Sequence, residues 1–231
     1  MSDTPKVLAI DVGGSHVKLL ASGEHESRKF ASGPKLTPEQ MVEGVRAHVD
    51  GWAWDVASIG VPTPVRGGKV IAEPVNLGRG WVGFDFEQAL GKPVRLINDA
   101  AMQAIGSYEG GRMLFLGLGT GLGSALVFDG IVEPLELGHL PYRKATFEEY
   151  VSEHALEKRG KSRWRKAVFD VVERLFAAME PDYVVLGGGG AKLLDELPPN
   201  SRRGGNENAF VGAFRLWEPE WTPRPGVGEP S

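Results

Sequence analysis

Residues 117–124 read GLGTGLGS, with a glycine at every second position. Side chains on a strand point alternately to the two faces of its sheet, so this run leaves one face bare. Bare backbone lets main-chain N–H groups converge on an anion without interference from Cβ atoms. The stretch therefore predicts a phosphate-binding turn between two strands, the second of which ends in an Asp129–Gly130 hairpin turn.

Two more glycine turns follow apolar strands, DVGGS at 11–15 and LGGGG at 186–190. Any one of the three is also explained as a tight turn, but together they favour phosphate binding. The dinucleotide motif G-x-G-x-x-G does not fit, because Thr120, Leu122 and Ser124 occupy positions where it needs glycine and a strand follows. ALEKRGKS at 155–162 resembles a Walker A loop, but it has Ala155 in place of glycine and continues a helical pattern, which excludes a P-loop.

Composition removes several classes of protein and site. The chain has 231 residues, 42% hydrophobic content, a net charge of -4 and no cysteine. The acidic balance argues against a general nucleic-acid binder. The absence of cysteine excludes disulfides, thiolate zinc sites and thiol nucleophiles. No apolar run reaches the ~18 residues that a membrane span needs, and the start does not resemble a signal peptide, so we expect a cytoplasmic protein with no membrane partner.

The hydrophobic periodicity predicts two α/β units. The first unit should contain, in order, three strands, a helix, two further strands and a helix. A similar pattern begins again near residue 113. The first helix should start with Thr37 as N-cap, Pro38 at its first position and Gln40 completing a capping box. We expect domains at 1–97 and 98–217 facing a central cleft, with the last helix able to pack back on the first domain, and a disordered tail at 218–231.

Seven motifs in a fixed order carry a family resemblance. They are DVGGSHVK at 11–18, GVPTPV at 60–65, NLGRGW at 76–81, ND at 98–99, GTGLGSAL at 119–126, ELGH at 136–139 and VVLGGGG at 184–190. Together they resemble the ROK family of sugar kinases and sugar-responsive repressors over residues 6–217, and ELGHL is similar to the polyphosphate glucokinase-like branch. The resemblance implies a two-domain actin/hexokinase-like (ribonuclease H-like) α/β fold with a central cleft. It also implies transfer of a phosphoryl group from polyphosphate, ATP or both to the 6-hydroxyl of glucose or a close hexose.

Family motifs assign the sugar side of the predicted site. Asp99 matches the general base that deprotonates a sugar hydroxyl. The further matches to sugar ligands are Asn76, Asn98, Glu136, His139 and Glu148. An alignment slip of one position would select Glu149 in place of Glu148. Some of these assignments have a simpler alternative: Asp99 as the N-cap of the next helix, Asn76 as a turn residue, and Glu136 and His139 as polar residues of a surface turn.

The donor side combines the resemblance with the glycine turns. Asp11 matches the acid that holds Mg2+, through water. The other predicted donor-binding residues are Gly13, Gly14, Ser15, Lys18, Gly119, Thr120, Gly121, Gly188 and Gly189. Plain solvent exposure is the alternative for Lys18.

Departures from the family pattern limit what can be carried over. Many relatives hold zinc with three cysteines and the histidine of the ExGH motif, and this chain has no cysteine, so we expect no zinc. Thr63 stands where relatives often have glycine. Repressor members carry an N-terminal DNA-binding domain, and this sequence begins at its first strand, so we expect no nucleic-acid partner. The resemblance suggests a homodimer.

Six cations lie within nine residues in an otherwise acidic chain, and they bear on the donor. They are Lys158, Arg159, Lys161, Arg163, Arg165 and Lys166. Such a run is either the solvated face of a helix or a track that leads an extended polyanion to the site. A rival to the kinase hypothesis is a non-catalytic sugar-binding sensor that retains the ROK fold.

Overall fold

The structure of the protein, a computed structural model, describes residues 5–205 and 207–221. It divides the chain into two compact units, Met1–Met102 with Ala209–Ser231 (unit 1) and Gln103–Asn208 (unit 2). Both units combine a sheet with helices, which confirms the predicted α/β class. Within the predicted tail, Pro219–Trp221 form a short 3-10 helix, and residues 222–231 lie outside the described residues.

Unit 1 contains a five-stranded sheet in the order β3-β2-β1-β4-β7. Its elements are β1 (Val7–Val12), β2 (His16–Ala21), β3 (Arg28–Ala31), α1 (Pro38–His48), β4 (Val56–Val61), β5 (Val65–Arg66), β6 (Lys69–Val70), α2 (Phe86–Leu90), β7 (Val94–Asn98), the start of α3 (Asp99–Ser107) and α8 (Asn208–Arg215). Strands β1 to β3 are antiparallel neighbours, whereas β4 and β7 run parallel to β1. The short strands β5 and β6 form a separate hairpin.

The first helix begins as the sequence predicts. The Thr37 side chain accepts from the Gln40 main-chain N–H, and the Gln40 side chain accepts from the Thr37 N–H. Met41, Val42 and Val45 are buried in the core of unit 1. Two reciprocal bonds over three residues depend only on local sequence, so a local pattern was sufficient to locate this helix.

The end of the described chain returns to unit 1. In α8, Ala209, Phe210 and Ala213 pack with Ala9 and Met102. The Ser58 hydroxyl in β4 donates to the Ala213 carbonyl at 2.7 Å and accepts from the Trp217 indole N–H at 2.9 Å. The division between the units falls inside α3 because Met102 belongs to this cluster.

Unit 2 repeats the plan of unit 1, with the strand order β10-β9-β8-β13-β14. Its elements are β8 (Met113–Leu118), β9 (Leu122–Phe128), β10 (Ile131–Leu135), a 3-10 helix (Leu137–His139), β11 (Pro141–Tyr142), β12 (Ala145–Thr146), α4 (Glu148–Val151), α5 (Glu153–Arg159), α6 (Lys161–Met179), β13 (Tyr183–Gly187), α7 (Gly188–Ala191) and β14 (Ser201–Arg203). Again three strands are antiparallel and two are parallel. This confirms that the pattern begins again near residue 113.

Parallel strands bring their carboxyl ends to one edge of a sheet, and this positions the predicted residues. In unit 1 the ends of β1 and β7 carry Asp11 and the Asn98–Asp99 pair, with β4 between them. In unit 2, β8 and β13 run parallel and lead into the turns at Gly119 and Gly188. Over the described residues, no helix is both long and apolar enough to cross a membrane.

Candidate active site

Asp11 is a buried carboxylate at the end of β1, 7% exposed. Lys18 lies opposite it on β2, with Nζ 3.4 Å from Asp11 Oδ2. Burial raises the pKa of Asp11, and the nearby Lys18 charge offsets this only in part. A divalent cation held near Asp11 through water would stabilise the ionised carboxylate and offset the cost of its burial. The Lys18 side chain is 49% exposed, so it is accessible to solvent and also paired.

The DVGGS turn is held by main-chain bonds. The Gly13 N–H donates to the His16 carbonyl at 3.0 Å, and Ser32 donates its N–H to the Ser15 carbonyl at 3.0 Å and its hydroxyl to the Gly13 carbonyl at 2.6 Å. Asn76 is exposed and lies beside this turn, since a methyl group on Gly14 would be 3.7 Å from Asn76 Cβ. The structure thus brings Asn76 next to the predicted donor turn.

Asn98 and Asp99 lie at the junction of β7 and α3 and have different hydrogen-bond partners. Asn98 Oδ1 accepts from the Ala101 N–H at 3.1 Å, which caps the helix. The Asn98 side-chain amide donates to the Thr63 carbonyl at 3.4 Å. Asp99 is partly exposed and accepts from the Ala100 N–H at 2.8 Å. Asn98 therefore supplies the N-cap of α3, a role that the sequence left open for Asp99.

The GLGTGLGS run forms a tight turn between β8 and β9. The Gly119 N–H donates to the Gly121 carbonyl at 3.1 Å, and the Glu153 N–H donates to the Gly119 carbonyl at 2.8 Å. Nothing lies within 4 Å of a methyl group placed on Gly119. A methyl group on Gly121 would instead overlap the Glu148 carboxylate, which accepts from the Leu122 N–H at 3.2 Å. The bare backbone is thus open at Gly119 and approached by a carboxylate of the same chain at Gly121.

The predicted sugar residues of unit 2 come together around Gly138. A methyl group on Gly138 would lie 3.1 Å from the Leu122 carbonyl and 3.4 Å from Glu148 Cβ. Glu136 and His139 flank this glycine, with His139 Nδ1 3.9 Å from Glu136 Oε2 and both side chains more than half exposed. An exposed carboxylate and imidazole beside a second carboxylate offer the acceptors and donors that a polyol requires.

Glu148 and Glu149 have different partners. Glu149 Oε2 accepts from both the N–H and the hydroxyl of Thr146 at 3.0 Å, at the start of α4. Glu148 reaches across to the glycine turn at Leu122. Since Glu149 is used locally, the geometry supports Glu148 as the member of the predicted site.

The LGGGG turn has a packing explanation for two of its glycines. Gly188 has a φ of 77°, and a methyl group on it would overlap the Leu118 carbonyl. A methyl group on Gly187 would overlap the Phe115 ring tip, at 2.5 Å from Cζ. Gly189 is exposed, and a methyl group there would be 3.1 Å from Glu153 Oε1. Close packing of β13 against β8 therefore accounts for part of this glycine run.

Two residues of this region were missed by sequence reasoning. The buried Ser124 hydroxyl donates to the Leu135 carbonyl at 2.7 Å and accepts from the Leu137 N–H at 3.2 Å, which ties the backbone around Glu136 to β9. A hydroxyl in an apolar strand was the available signal, because a buried polar group needs a partner. Glu153 lies between the Gly119 and Gly189 turns, and no sequence signal marks it.

The six predicted track cations have different surroundings. Arg159 stacks 3.7 Å from the Tyr150 ring centroid, and Lys161 pairs with Asp195 at 3.0 Å. Arg165 and Lys166 line a groove of about 320 Å³ together with three carboxylates, those of Asp170, Glu173 and Glu196. Lys158 and Arg163 are exposed. Part of the positive charge is thus balanced within the protein.

No group of three or more His, Asp or Glu side chains within residues 5–205 and 207–221 is suited to hold a metal ion by itself. A magnesium ion at Asp11 would therefore need oxygen ligands from the donor phosphates, which is the usual arrangement for this ion in phosphoryl-transfer sites. Among the residues that the structure describes, Asp11 is the one buried carboxylate, which fits that arrangement.

Several known proteins are similar to this chain in sequence or in fold. The chain is 28% identical to the polyphosphate glucokinase of Mycobacterium tuberculosis, with 82% of this chain and 80% of the relative covered. It is 26% identical to an inorganic polyphosphate/ATP-glucomannokinase from Arthrobacter sp. strain KM, with a TM-score of 0.79 and coverage of 92% and 98%. A Streptomyces griseus ROK glucokinase, solved with glucose and AMPPNP, shares the fold at 18% identity with a TM-score of 0.71 and coverage of 91% and 98%.

The family model described as "ROK family" matches residues 7–172. This range includes all the predicted site residues except Gly188 and Gly189. The fold is that of ROK sugar kinases, which confirms the predicted actin/hexokinase-like class. The chain therefore belongs to the ROK family.

Proposed function

We propose that the protein is a sugar kinase that transfers a phosphoryl group from polyphosphate, ATP or both to the 6-hydroxyl of glucose or a close hexose. The observation that carries this proposal is the edge of the unit 1 sheet, where the buried Asp11 lies at the end of β1 and the partly exposed Asp99 directly follows β7, on either side of β4. The relatives named polyphosphate glucokinase and glucomannokinase support the same reaction.

Asp99 acts as the general base in this proposal. As the sugar oxygen forms its bond to the terminal phosphorus, the bond from that phosphorus to the bridging oxygen breaks and the hydroxyl proton passes to the Asp99 carboxylate. A carboxylate suffices as the base, because the transition state is loose and the protein contributes mainly alignment and electrostatic stabilisation. Asn98 supports the assignment, since its cap on α3 leaves Asp99 as the first residue of the helix.

The sugar hydroxyls are bound, in this proposal, by Asn76, Asn98, Glu136, His139 and Glu148. The cluster around Gly138 supports the assignment of the last three. Glu148 is held by the Leu122 N–H, and a carboxylate that already has one fixed donor loses less side-chain freedom on binding sugar.

The donor phosphates are bound by the exposed backbone of the glycine turns. The residues proposed for this task are Gly13, Gly14, Ser15, Lys18, Gly119, Thr120, Gly188 and Gly189, whereas Gly121, predicted with them from the sequence, lies against the Glu148 carboxylate. The open space at Gly119 supports close approach of a phosphate. Asp11 holds Mg2+, through water, and the bound ion would neutralise charge that develops on the phosphates.

Replacing Asp99 by Asn tests the proposal. The amide keeps the size and much of the hydrogen bonding of the carboxylate but cannot accept the proton, so kcat should fall by at least ~10² while glucose affinity persists. Glucose affinity is measured by calorimetry without donor, and turnover by a coupled assay with each donor. Asp50→Asn, at an exposed position after α1, is the matched control and should leave kcat unchanged. Near-normal turnover of Asp99→Asn would remove Asp99 from the role.

The rival function, a sugar-binding sensor without turnover, is not favoured, because the two relatives at 28% and 26% identity are named polyphosphate glucokinase and polyphosphate/ATP-glucomannokinase. The coupled assay on the unaltered protein separates the two. Glucose binding with no phosphorylation from either ATP or polyphosphate would establish the sensor.

A further inference from the structure

A short hairpin joins the proposed sugar-binding residues of unit 2. Strands β11 and β12 pair over Pro141–Thr146 and Tyr142–Ala145. Glu136 and His139 precede the hairpin in the chain, and Glu148 follows it directly. Any movement of this hairpin relative to the rest of unit 2 would therefore displace both flanking segments.

Hydrogen bonds to Asp170 attach the hairpin to α6, the longest helix of the unit. The hydroxyl of Tyr142, a residue only 4% exposed, donates to Asp170 Oδ2 in α6. Asp170 also accepts from Arg143 Nη2 at 3.3 Å and from Arg174 Nε at 3.1 Å. The Tyr142 bond lowers the pKa of Asp170, and burial with that same bond raises the pKa of Tyr142 to about 12. A bond between a neutral hydroxyl and a carboxylate is stronger than one between two neutral groups.

Aromatic rings extend this attachment to the start of α4. Tyr142 contacts Phe147 at a centroid distance of 5.2 Å and meets Tyr150 edge to face at 4.9 Å and 89°. Arg159 covers Tyr150 at 3.7 Å. Phe147 and Tyr150 surround Glu148 in sequence, so the ring contacts restrict the element that carries this carboxylate.

The helix that receives the bond is well fixed. Helix α6 spans 19 residues and buries Trp164, Val168 and Val171 in the core of unit 2. The Trp164 indole N–H also donates to the Val151 carbonyl at 2.8 Å, at the end of α4. Asp170 is thus a fixed point against which the hairpin can be held.

We propose that Tyr142 and Asp170 are positioning residues: their hydrogen bond holds the hairpin so that Glu136, His139 and Glu148 keep the arrangement that binds the sugar. The inference rests on the proposed function, because it assumes that these three residues bind the sugar. Neither Tyr142 nor Asp170 is assigned contact with substrate.

Tyr142→Phe removes the hydroxyl and retains the ring. Loss of a hydrogen bond to a charged group should raise KM and Kd for glucose by about tenfold. The donor KM and kcat should stay within a factor of two, because Asp11 and Asp99 belong to unit 1 and the hairpin belongs to unit 2. Asp170→Ala, which also loses the bonds from Arg143 and Arg174, should raise both constants by at least as much, whereas Asp170→Asn, which can still accept the Tyr142 bond, should restore most of the glucose affinity. Adding Tyr142→Phe to Asp170→Ala should change the glucose affinity little further, since Asp170→Ala already removes the Tyr142 bond.

Tyr183→Phe is the matched control. The Tyr183 hydroxyl donates to the Gly110 carbonyl at 3.1 Å, at the start of β13 and away from the hairpin. It should lower stability without changing glucose affinity. Equal effects of Tyr142→Phe and Tyr183→Phe on both substrates, or an unchanged glucose Kd in Tyr142→Phe, would overturn the positioning role.

Direct glucose binding without donor distinguishes the possible failures. An unaltered protein that binds no glucose or mannose would overturn the proposed function and this inference together. One that binds glucose without turnover would overturn the kinase proposal alone, and the Tyr142 series would still decide the inference.

Discussion

Two glycines of the GLGTGLGS run, two positions apart, have different neighbours. Gly119 faces open space, whereas Gly121 is approached by the Glu148 carboxylate. Neither has a positive φ, so backbone strain does not explain either glycine. At Gly121, the group that approaches the bare backbone is therefore the Glu148 carboxylate. At Gly119, the backbone remains open to a ligand.

Gly121→Ala and Gly119→Ala form a matched pair at this scale. The methyl group at 121 should displace Glu148 from the Leu122 N–H and raise the glucose KM by about tenfold or more, the usual loss for a hydrogen bond to a charged group. The methyl group at 119 should raise the donor KM instead and leave the glucose KM unchanged, because it obstructs only the approach of a phosphate. Steady-state kinetics with each substrate varied in turn measure both effects. If both variants changed the same KM, the separate assignment of Gly119 and Gly121 would be wrong.

At the scale of elements, the β11–β12 hairpin depends on charge as well as packing. Three charged groups face Tyr142, those of Asp170, Arg143 and Arg174. The pKa of Tyr142 is raised from 10.0 to about 12, and that of Asp170 is lowered below 3.8. Because of these opposite shifts, the Tyr142–Asp170 bond should be lost both at high pH, where Tyr142 ionises, and at low pH, where Asp170 is protonated.

The stability difference between the unaltered protein and Tyr142→Phe should depend on pH. Between pH 10 and about 12 folded Tyr142 keeps a proton that the unfolded chain has lost, so its contribution falls as pH rises through that window. At acid pH, Asp170 acts in the same way. Its contribution to the free energy of unfolding is complete above the usual pKa of an aspartate and is lost as pH falls through its lowered pKa. Urea unfolding should show a difference of about 1–3 kcal/mol at pH 7 that shrinks at both extremes. A difference that stayed constant over the whole pH range would contradict the Tyr142–Asp170 bond.

At the scale of the whole molecule, charge is unevenly distributed. The net charge is -4, yet six cations lie within residues 158–166. Several of them are paired or stacked, and Lys158 and Arg163 are exposed. We propose that these two cations attract an extended polyphosphate chain, an effect that reaches beyond direct contact and is screened by salt.

Salt should affect the two donors differently. Because screening shortens the reach of charges to a Debye length of about 3 Å at 1 M salt, the KM for polyphosphate should rise steeply with ionic strength while the KM for ATP changes little. The double variant Lys158→Gln/Arg163→Gln should flatten the polyphosphate response. Arg66→Gln/Lys69→Gln in the β5–β6 hairpin removes the same charge elsewhere and should not. Lys158 and Arg163 would act only through the net charge of the protein if salt changed the KM for both donors alike. The same would hold if both double variants flattened the polyphosphate response.

Local patterns predicted much of this protein. The Thr37–Gln40 capping box, the strands on either side of GLGTGLGS and the second start near residue 113 all follow from residues close together in the chain. The motif order identified the ROK family, whose model matches residues 7–172. Within the candidate site, motif positions selected Asp99, Glu136, His139 and Glu148, whose roles remain predictions.

The remaining features depend on pairs distant in the chain, and no local pattern marks such pairs. Ser58 and Ala213 are 155 residues apart, yet their bond ties α8 to unit 1. Tyr142 and Asp170 are 28 residues apart, and their bond attaches the hairpin to α6. Local amino-acid order thus set the helices and glycine turns, because their hydrogen bonds close over a few residues. It marked the strands by their apolar runs, but parallel neighbours such as Val7 and Val56 pair across distant parts of the chain. The partners of Glu148, Ser58 and Tyr142 were set by folding, because burial made each polar group bond to whatever the packed chain brought beside it.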